Sequence, residues 1–209
     1  MEHDFWHARW GEGRIGFHEG KPNQLLVKHL AALGKAKRVL VPLCGKAEDL
    51  AFLAAQGHQV VGVELVESAV QAFFEERSAK PVVDTHGPFK RYTLDNLTLL
   101  AGDFFAATRA LLGPVDALYD RAATIALPEQ MRGGYVKHLR ALLPAGATGL
   151  VITTEYPQEK LEGPPFSVPE AELRAHYAGL KVDLVEEVRA EGPRFSAINA
   201  VEKCFVVAF

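Results

Sequence analysis

The chain has 209 residues, 48% of them apolar, and a net charge of −3 from 23 basic and 26 acidic side chains. That length suits one α/β domain with a substantial core. The near-balanced charge gives no electrostatic footprint for nucleic acid or an anionic membrane. With only two cysteines no disulfide framework is expected and a reducing cytoplasm is the default, and no apolar run reaches the ~20 residues of a membrane span or resembles a signal sequence.

Residues 1–34 read as a helical, aromatic-rich lead-in, with Phe5, Trp6, Trp10, Ile15 and Phe17 followed by Leu25, Leu26, Leu30 and Leu33 at helical spacing. Arg38 to Leu43 reads as a strand buried on both faces, with Pro42 stopping its ladder. Gly45 lets the chain turn closely, Ala47 to Gln56 forms a helix, and Gly57 stops it. Gln59 to Val63 is the next strand, and Glu64 stands at its C-terminal end. Gly45 and Glu64 are about 20 residues apart, the spacing that places an acid on a ribose hydroxyl in nucleotide-binding βαβ units.

Further elements follow in order. Ser68 to Arg77 is a helix, with Ser68 and Gln71 fitting a capping box. Residues 78–96 form a loop or small hairpin. Leu97 to Leu100 is a strand ending in Gly102-Asp103, and Val115 to Tyr119 one ending in Asp120-Arg121. Pro128 to Leu143 and Pro169 to Ala178 are helices, Leu150 to Glu155 is a strand, and Val182–Val188 and Glu202–Phe209 close the sheet as an antiparallel pair. The alternation predicts a mostly parallel sheet with helices on both faces and ligands outside the strand C-termini. Gly45, Glu64, Asp103 and Asp120-Arg121 all fall on that edge.

The loop chemistry selects the ligand. PLCGKAED has one glycine where a nicotinamide or flavin site needs three, and Glu48 and Asp49 in the first helical turn repel a pyrophosphate. A P-loop fails because Leu40 and Ala47 stand where glycine and Ser or Thr are required. S-adenosylmethionine carries a ribose, an adenine and a cationic sulfonium but no phosphate, and suits acidic surroundings. Glu64 can then accept both ribose hydroxyls, and Trp10 can pack over the methionine part. Cys44 has no histidine placed to activate it and reads as a packing residue; no H-E-x-x-H or G-x-S-x-G is present, so no metal site or α/β-hydrolase is expected.

Three segments carry a resemblance: VLVPLCGKAEDL at 39–50, YDRAATIALP at 119–128 and GPPFSV at 163–168. With Phe5-Trp6, Trp10, Ile15-Gly16-Phe17-His18, Asn23, Gly102-Asp103-Phe104-Phe105 and Arg194-Phe195, the chain resembles the thiopurine S-methyltransferase family, most closely its bacterial members, from Phe5 to Phe205. The resemblance implies a Rossmann-like methyltransferase with a seven-stranded sheet, one domain over 1–209 and a lid over 1–34. It implies S-adenosylmethionine as cofactor and methyl transfer to the sulfur of aromatic or heterocyclic thiols. Trp10, Leu43, Gly45, Glu64, Asp103, Phe104 and Arg121 are the implied cofactor positions. Arg121, Arg194 and Phe17 are the implied substrate positions, and Asp120, Arg121 and His18 are catalytic candidates. After Arg194-Phe195 the family tends to carry Trp or Arg and then Gly, where this chain has Ala197 and Ile198. Other soft acceptors (small thiols, halide, selenium or tellurium species) and a non-catalytic S-adenosylmethionine binder are the alternatives. A monomer acting on a small molecule, without nucleic acid or membrane partners, is expected.

Overall fold

Two apolar runs, Val39–Val41 and Val60–Val63, bury residues on both sides of their strands, so they must lie at the centre of a covered sheet. The computed structural model describes residues 3–13, 20–35 and 37–209. Phe17 and His18 lie outside the described residues. In chain order the elements are α1 (His3–Gly11), α2 (Gln24–His29) with a 3-10 turn (Leu30–Leu33), β1 (Arg38–Pro42), α3 (Glu48–Ala55), β2 (Gln59–Glu64), α4 (Glu67–Glu75), β3 (Val82–His86), β4 (Phe89–Leu94), β5 (Leu97–Ala101), α5 (Arg109–Leu112), β6 (Ala117–Asp120), α6 (Ala123–Ala126), α7 (Glu129–Leu142), β7 (Thr148–Glu155), α8 (Glu170–His176), β8 (Lys181–Arg189), α9 (Pro193–Ser196) and β9 (Val201–Ala208).

The strand order is β3-β4-β5-β2-β1-β6-β7-β9-β8. The pairings β5-β2, β2-β1, β1-β6 and β6-β7 are parallel, and β9 inserts antiparallel between β7 and β8. These are the seven strands expected. The sheet has nine because the hairpin β3–β4 pairs antiparallel onto β5. Its inner strand earns the place by burying Phe89 and Tyr92, the latter stacked on Phe74 at 6.1 Å between ring centroids. The outer strand is exposed, with Val82 at 72%, so its composition carries no core periodicity to announce it.

One face of the sheet packs on α2, the 3-10 turn, α3 and α4 through Leu26, Leu33, Leu50, Leu53 and Phe73. The other packs on α5, α7 and α8 through Leu112, Tyr135, Leu139, Leu173 and Tyr177. Among the described residues no helix is long and apolar enough to cross a membrane.

Two local expectations are corrected. The Ser68–Gln71 capping box is not formed: α4 starts one residue earlier, its N-cap is Val66, and Gln71 reaches Glu67 and the Tyr92 hydroxyl instead. The Val66 N–H goes to the Glu64 carboxylate at 2.9 Å, which fixes the entry to this helix without a serine cap. Leu43 is not in β1; it adopts a left-handed backbone with φ 48° and begins the following turn.

A cap does form where α2 begins. Asn23 Oδ1 accepts from the N–H groups of Leu25 (2.9 Å) and Leu26 (3.3 Å), and the residue is buried. Asn23→Ala is expected to cost about 1 kcal/mol. In a chain of this size that lowers Tm by roughly 2–4 °C, readable by thermal melting.

Candidate functional site

Sheet order reverses at β1, with β2 on one side and β6 on the other, and ligands of such sheets bind at the strand C-termini beside that reversal. There a cavity of about 1130 Å³ opens, lined by the loop after β1, the end of β2, the turn after β5, the segment after β6, the 163–166 loop and α1.

The loop after β1 is built by backbone conformation. Leu43 and Gly45 both take positive φ (48° and 53°), which folds the chain back within three residues. A Cβ on Gly45 would lie 3.1 Å from Trp10 Cζ2, so the indole of α1 rests directly on this loop. Glu64 is buried, and its two oxygens accept the N–H groups of Gly45 (2.8 Å) and Val66 (2.9 Å). Burial pushes its pKa up, while these backbone donors pull it back. Each oxygen keeps a further lone pair, so a carboxylate already aimed by the backbone can accept hydroxyl groups from a ligand.

The two acids after this loop are held, not loose. Glu48 pairs with Arg77, and Lys46 with Glu76, tying the loop to the end of α4. Asp49 is buried, accepts the Asn23 N–H (2.7 Å) on one oxygen and the Tyr119 hydroxyl (2.9 Å) on the other, and burial raises its pKa. This join between the N-terminal segment, α3 and β6 had no sequence signal, because its partners are 26 and 70 residues away.

Just past the end of β5, the strand paired with β2, Asp103 accepts the Phe105 N–H at 2.9 Å and so caps the short turn Phe104–Ala106. Phe104 and Phe105 line the cavity, and both rings pack against His138. Arg121 reaches the cavity wall, where desolvation of its guanidinium lowers its pKa and the nearby Glu202 raises it. Arg194 and Phe195 reach the same cavity from α9. Ile198 turns away into a small cluster with Tyr156, Ala190 and Ala200. Pro164 and Pro165 close another wall with Ile125, Leu127 and Met131, and the Phe166 N–H donates to the Ile125 carbonyl at 2.6 Å.

Asp120 is placed elsewhere. It is fully buried, and its oxygens accept the Ala123 and Thr124 N–H groups, the Thr124 hydroxyl (2.6 Å) and the Tyr135 hydroxyl (2.8 Å). Its side chain joins β6 to α6 and α7 and lines no part of the cavity. Cys44 is buried, and burial with the neighbouring Glu64 charge raises its thiol pKa, as suits a packing residue. Glu202, Met131 and Ile125 line the cavity without having been singled out in the sequence: Ile125 falls within the 119–128 segment but carried no role there, and Met131 and Glu202 sit outside any motif.

The donor set fits an adenosyl sulfonium. A buried acid accepts the N–H of a single-glycine loop, an aromatic covers that loop, and the helix start carries acids where a pyrophosphate would need bare N–H groups. Fold and site define a methyltransferase that uses S-adenosyl-L-methionine. Solved structures share the fold: an S-adenosylmethionine-dependent methyltransferase from Anabaena variabilis aligns with TM-score 0.67 at 13% identity over 99% of this chain and 94% of that one. The 1,6-didemethyltoxoflavin-N1-methyltransferase of Burkholderia thailandensis, solved with S-adenosylhomocysteine, aligns with TM-score 0.65 at 19% identity over 99% and 86%. Residues 1–206 match the thiopurine S-methyltransferase family. The thiopurine S-methyltransferase of Pseudomonas aeruginosa strain UCBPP-PA14 is 52% identical over 86% of this chain and 83% of its own length, and that of Azotobacter vinelandii 49% over 83% and 81%. The chain belongs to the thiopurine S-methyltransferase family.

Proposed function

We propose that this enzyme methylates the sulfur of aromatic and heterocyclic thiols. The observation that carries the reading is the makeup of the cavity beyond Glu64. Apolar side chains of Ile125, Leu127, Met131, Pro164 and Pro165 line it together with the arginines Arg121 and Arg194, a setting for a planar ring bearing an anionic sulfur. The relatives' printed names support the same acceptor class.

Bound S-adenosylmethionine supplies an electrophilic methyl group. Glu64 holds the ribose, with Gly45 and Leu43 shaping the loop beneath and Phe104 beside the adenine. Trp10, lying over Gly45, closes the site from α1, which supports a lid in the first part of residues 1–34 of a single catalytic domain; Leu25, Leu26 and Leu33 of that stretch belong to the core instead. Arg121 favours the thiolate over the thiol. Since a free thiol titrates near ~8.5 and aromatic thiols lower, selecting the anion relieves the protein of a strong base for such acceptors. The larger contribution is orientation, which can supply about 7–11 kcal/mol, in a site from which the lid excludes water. A reducing cytoplasm, in keeping with two free and buried cysteines, and a monomer acting on small molecules without nucleic acid or membrane partners complete the proposal.

A panel of labelled-methyl assays tests this. Aromatic and heterocyclic thiols are expected to turn over, and halide or selenite at far lower kcat/KM. Arg121→Ala is expected to lower kcat/KM for thiols roughly 10-fold or more, the loss of one hydrogen bond to a charged group. Cofactor binding without turnover of any thiol would overturn the reading.

A further inference from the structure

Glu202 lies on β9 opposite Thr154 of β7 and Val188 of β8. Directly paired residues of antiparallel strands project to one face, so the three form a row across the sheet, and all three line the cavity. Arg121, leaving the end of β6, lines the same wall. The acceptor side is therefore not uniformly cationic: a carboxylate and a guanidinium stand beside each other in it. A ligand meeting both should present a hydrogen-bond donor to the acid and an electron-rich atom to the arginine.

The geometry points to Glu202 as a catalytic residue for one class of acceptor, heterocyclic thiones that carry a ring N–H next to the C=S carbon, with Glu202 taking the ring proton while Arg121 faces the sulfur. This rests on the thiol-methylating reading above. In such a thione the reacting proton is on nitrogen, not sulfur, so selecting a thiolate does not by itself remove it. The acceptor sulfur forms its bond to the methyl carbon with the C=S π pair. The N–H electron pair becomes the C=N bond, and the proton passes to a Glu202 oxygen. The bond from the methyl carbon to the donor's sulfur breaks, and both electrons stay on that sulfur. The product is a neutral S-methyl imine heterocycle.

The surroundings suit a proton acceptor. Burial raises the Glu202 pKa, Arg121 draws it back, and Glu191 pushes it further up. Tyr119 of β6 and Cys204 of β9 also feel its charge, and both hold their own protons. A carboxylate so placed is a stronger base than an exposed one and still accessible to a ligand.

The test compares two acceptors in the full-length enzyme: 2-mercaptobenzimidazole, which has the ring N–H, and benzenethiol, which has none. Glu202→Gln is expected to lower kcat/KM for the thione by about 100-fold, the lower range for general base catalysis, and to leave benzenethiol within about threefold. Glu202→Asp, which keeps the acid but withdraws it by one methylene, should show the same selectivity with a smaller loss. Equal losses on both acceptors, or no loss on the thione, would overturn the assignment. Wild-type turnover of benzenethiol alone would overturn it while leaving the thiol reading intact; turnover of neither acceptor would instead bring down that reading, and the assignment with it.

Discussion

Glu64→Ala is expected to weaken S-adenosylmethionine binding by roughly 10- to 100-fold, the 1.5–3 kcal/mol of hydrogen bonds to a charged group. The effect has two parts. The ribose loses its acceptor, and the Gly45 and Val66 N–H groups lose theirs, so the loop that carries Leu43 and Gly45 loses its anchor. Glu64→Gln should not rescue fully, because a carboxamide offers one accepting oxygen and turns an NH2 toward one of those donors. Calorimetric titration of the cofactor reads the loss directly. The pH dependence follows from burial. The folded-state pKa of Glu64 lies above its ordinary value, so affinity should fall, as pH drops, sooner than an exposed glutamate would dictate. Affinity that is unchanged in both variants would remove Glu64 from the cofactor site.

Asp120→Ala is expected to act on stability instead. Its removal leaves two backbone N–H groups and the Thr124 and Tyr135 hydroxyls without their acceptor at a fully buried point. At about 1–3 kcal/mol for a buried donor left unmade, the loss should reach about 3 kcal/mol, or roughly 6–12 °C in Tm. Asp120→Asn keeps one acceptor and should cost markedly less. Burial raises the Asp120 pKa above its unfolded value, so the charged form opposes folding. The sign is that this group's unfavourable contribution is full above the folded pKa and fades as pH falls toward the unfolded one. In Asp120→Asn that pH dependence should vanish, as urea titrations across acid pH can show. The adjacent Arg121 carries the contrasting expectation, with activity lost and Tm nearly kept. A sequence shows Asp120-Arg121 as one polar pair at a strand end. In the fold the two side chains part, one into the core beneath α6 and α7 and the other to the cavity wall.

The sequence by itself determined the layered α/β plan, because apolar runs buried on both faces alternate with one-sided helical stripes. It also determined where the residues proposed for the cofactor meet. Gly45 and Glu64 belong to one βαβ unit, whose short loops leave a glycine and a strand-end acid no other place to meet. Only the tertiary structure decided what depends on contacts between distant segments. The β3–β4 hairpin joined the sheet through two buried aromatics on one strand, with no periodicity on the other to foretell it. Asp49 became a buried link to Asn23 and Tyr119 rather than a solvated helix-turn acid. Glu202 reached the cavity wall only because β9 inserts between β7 and β8, a strand order that local pattern does not encode. The physical reason is range: backbone conformation and burial periodicity act within a few residues, whereas the cavity is assembled from side chains whose nearness exists only once the sheet has closed.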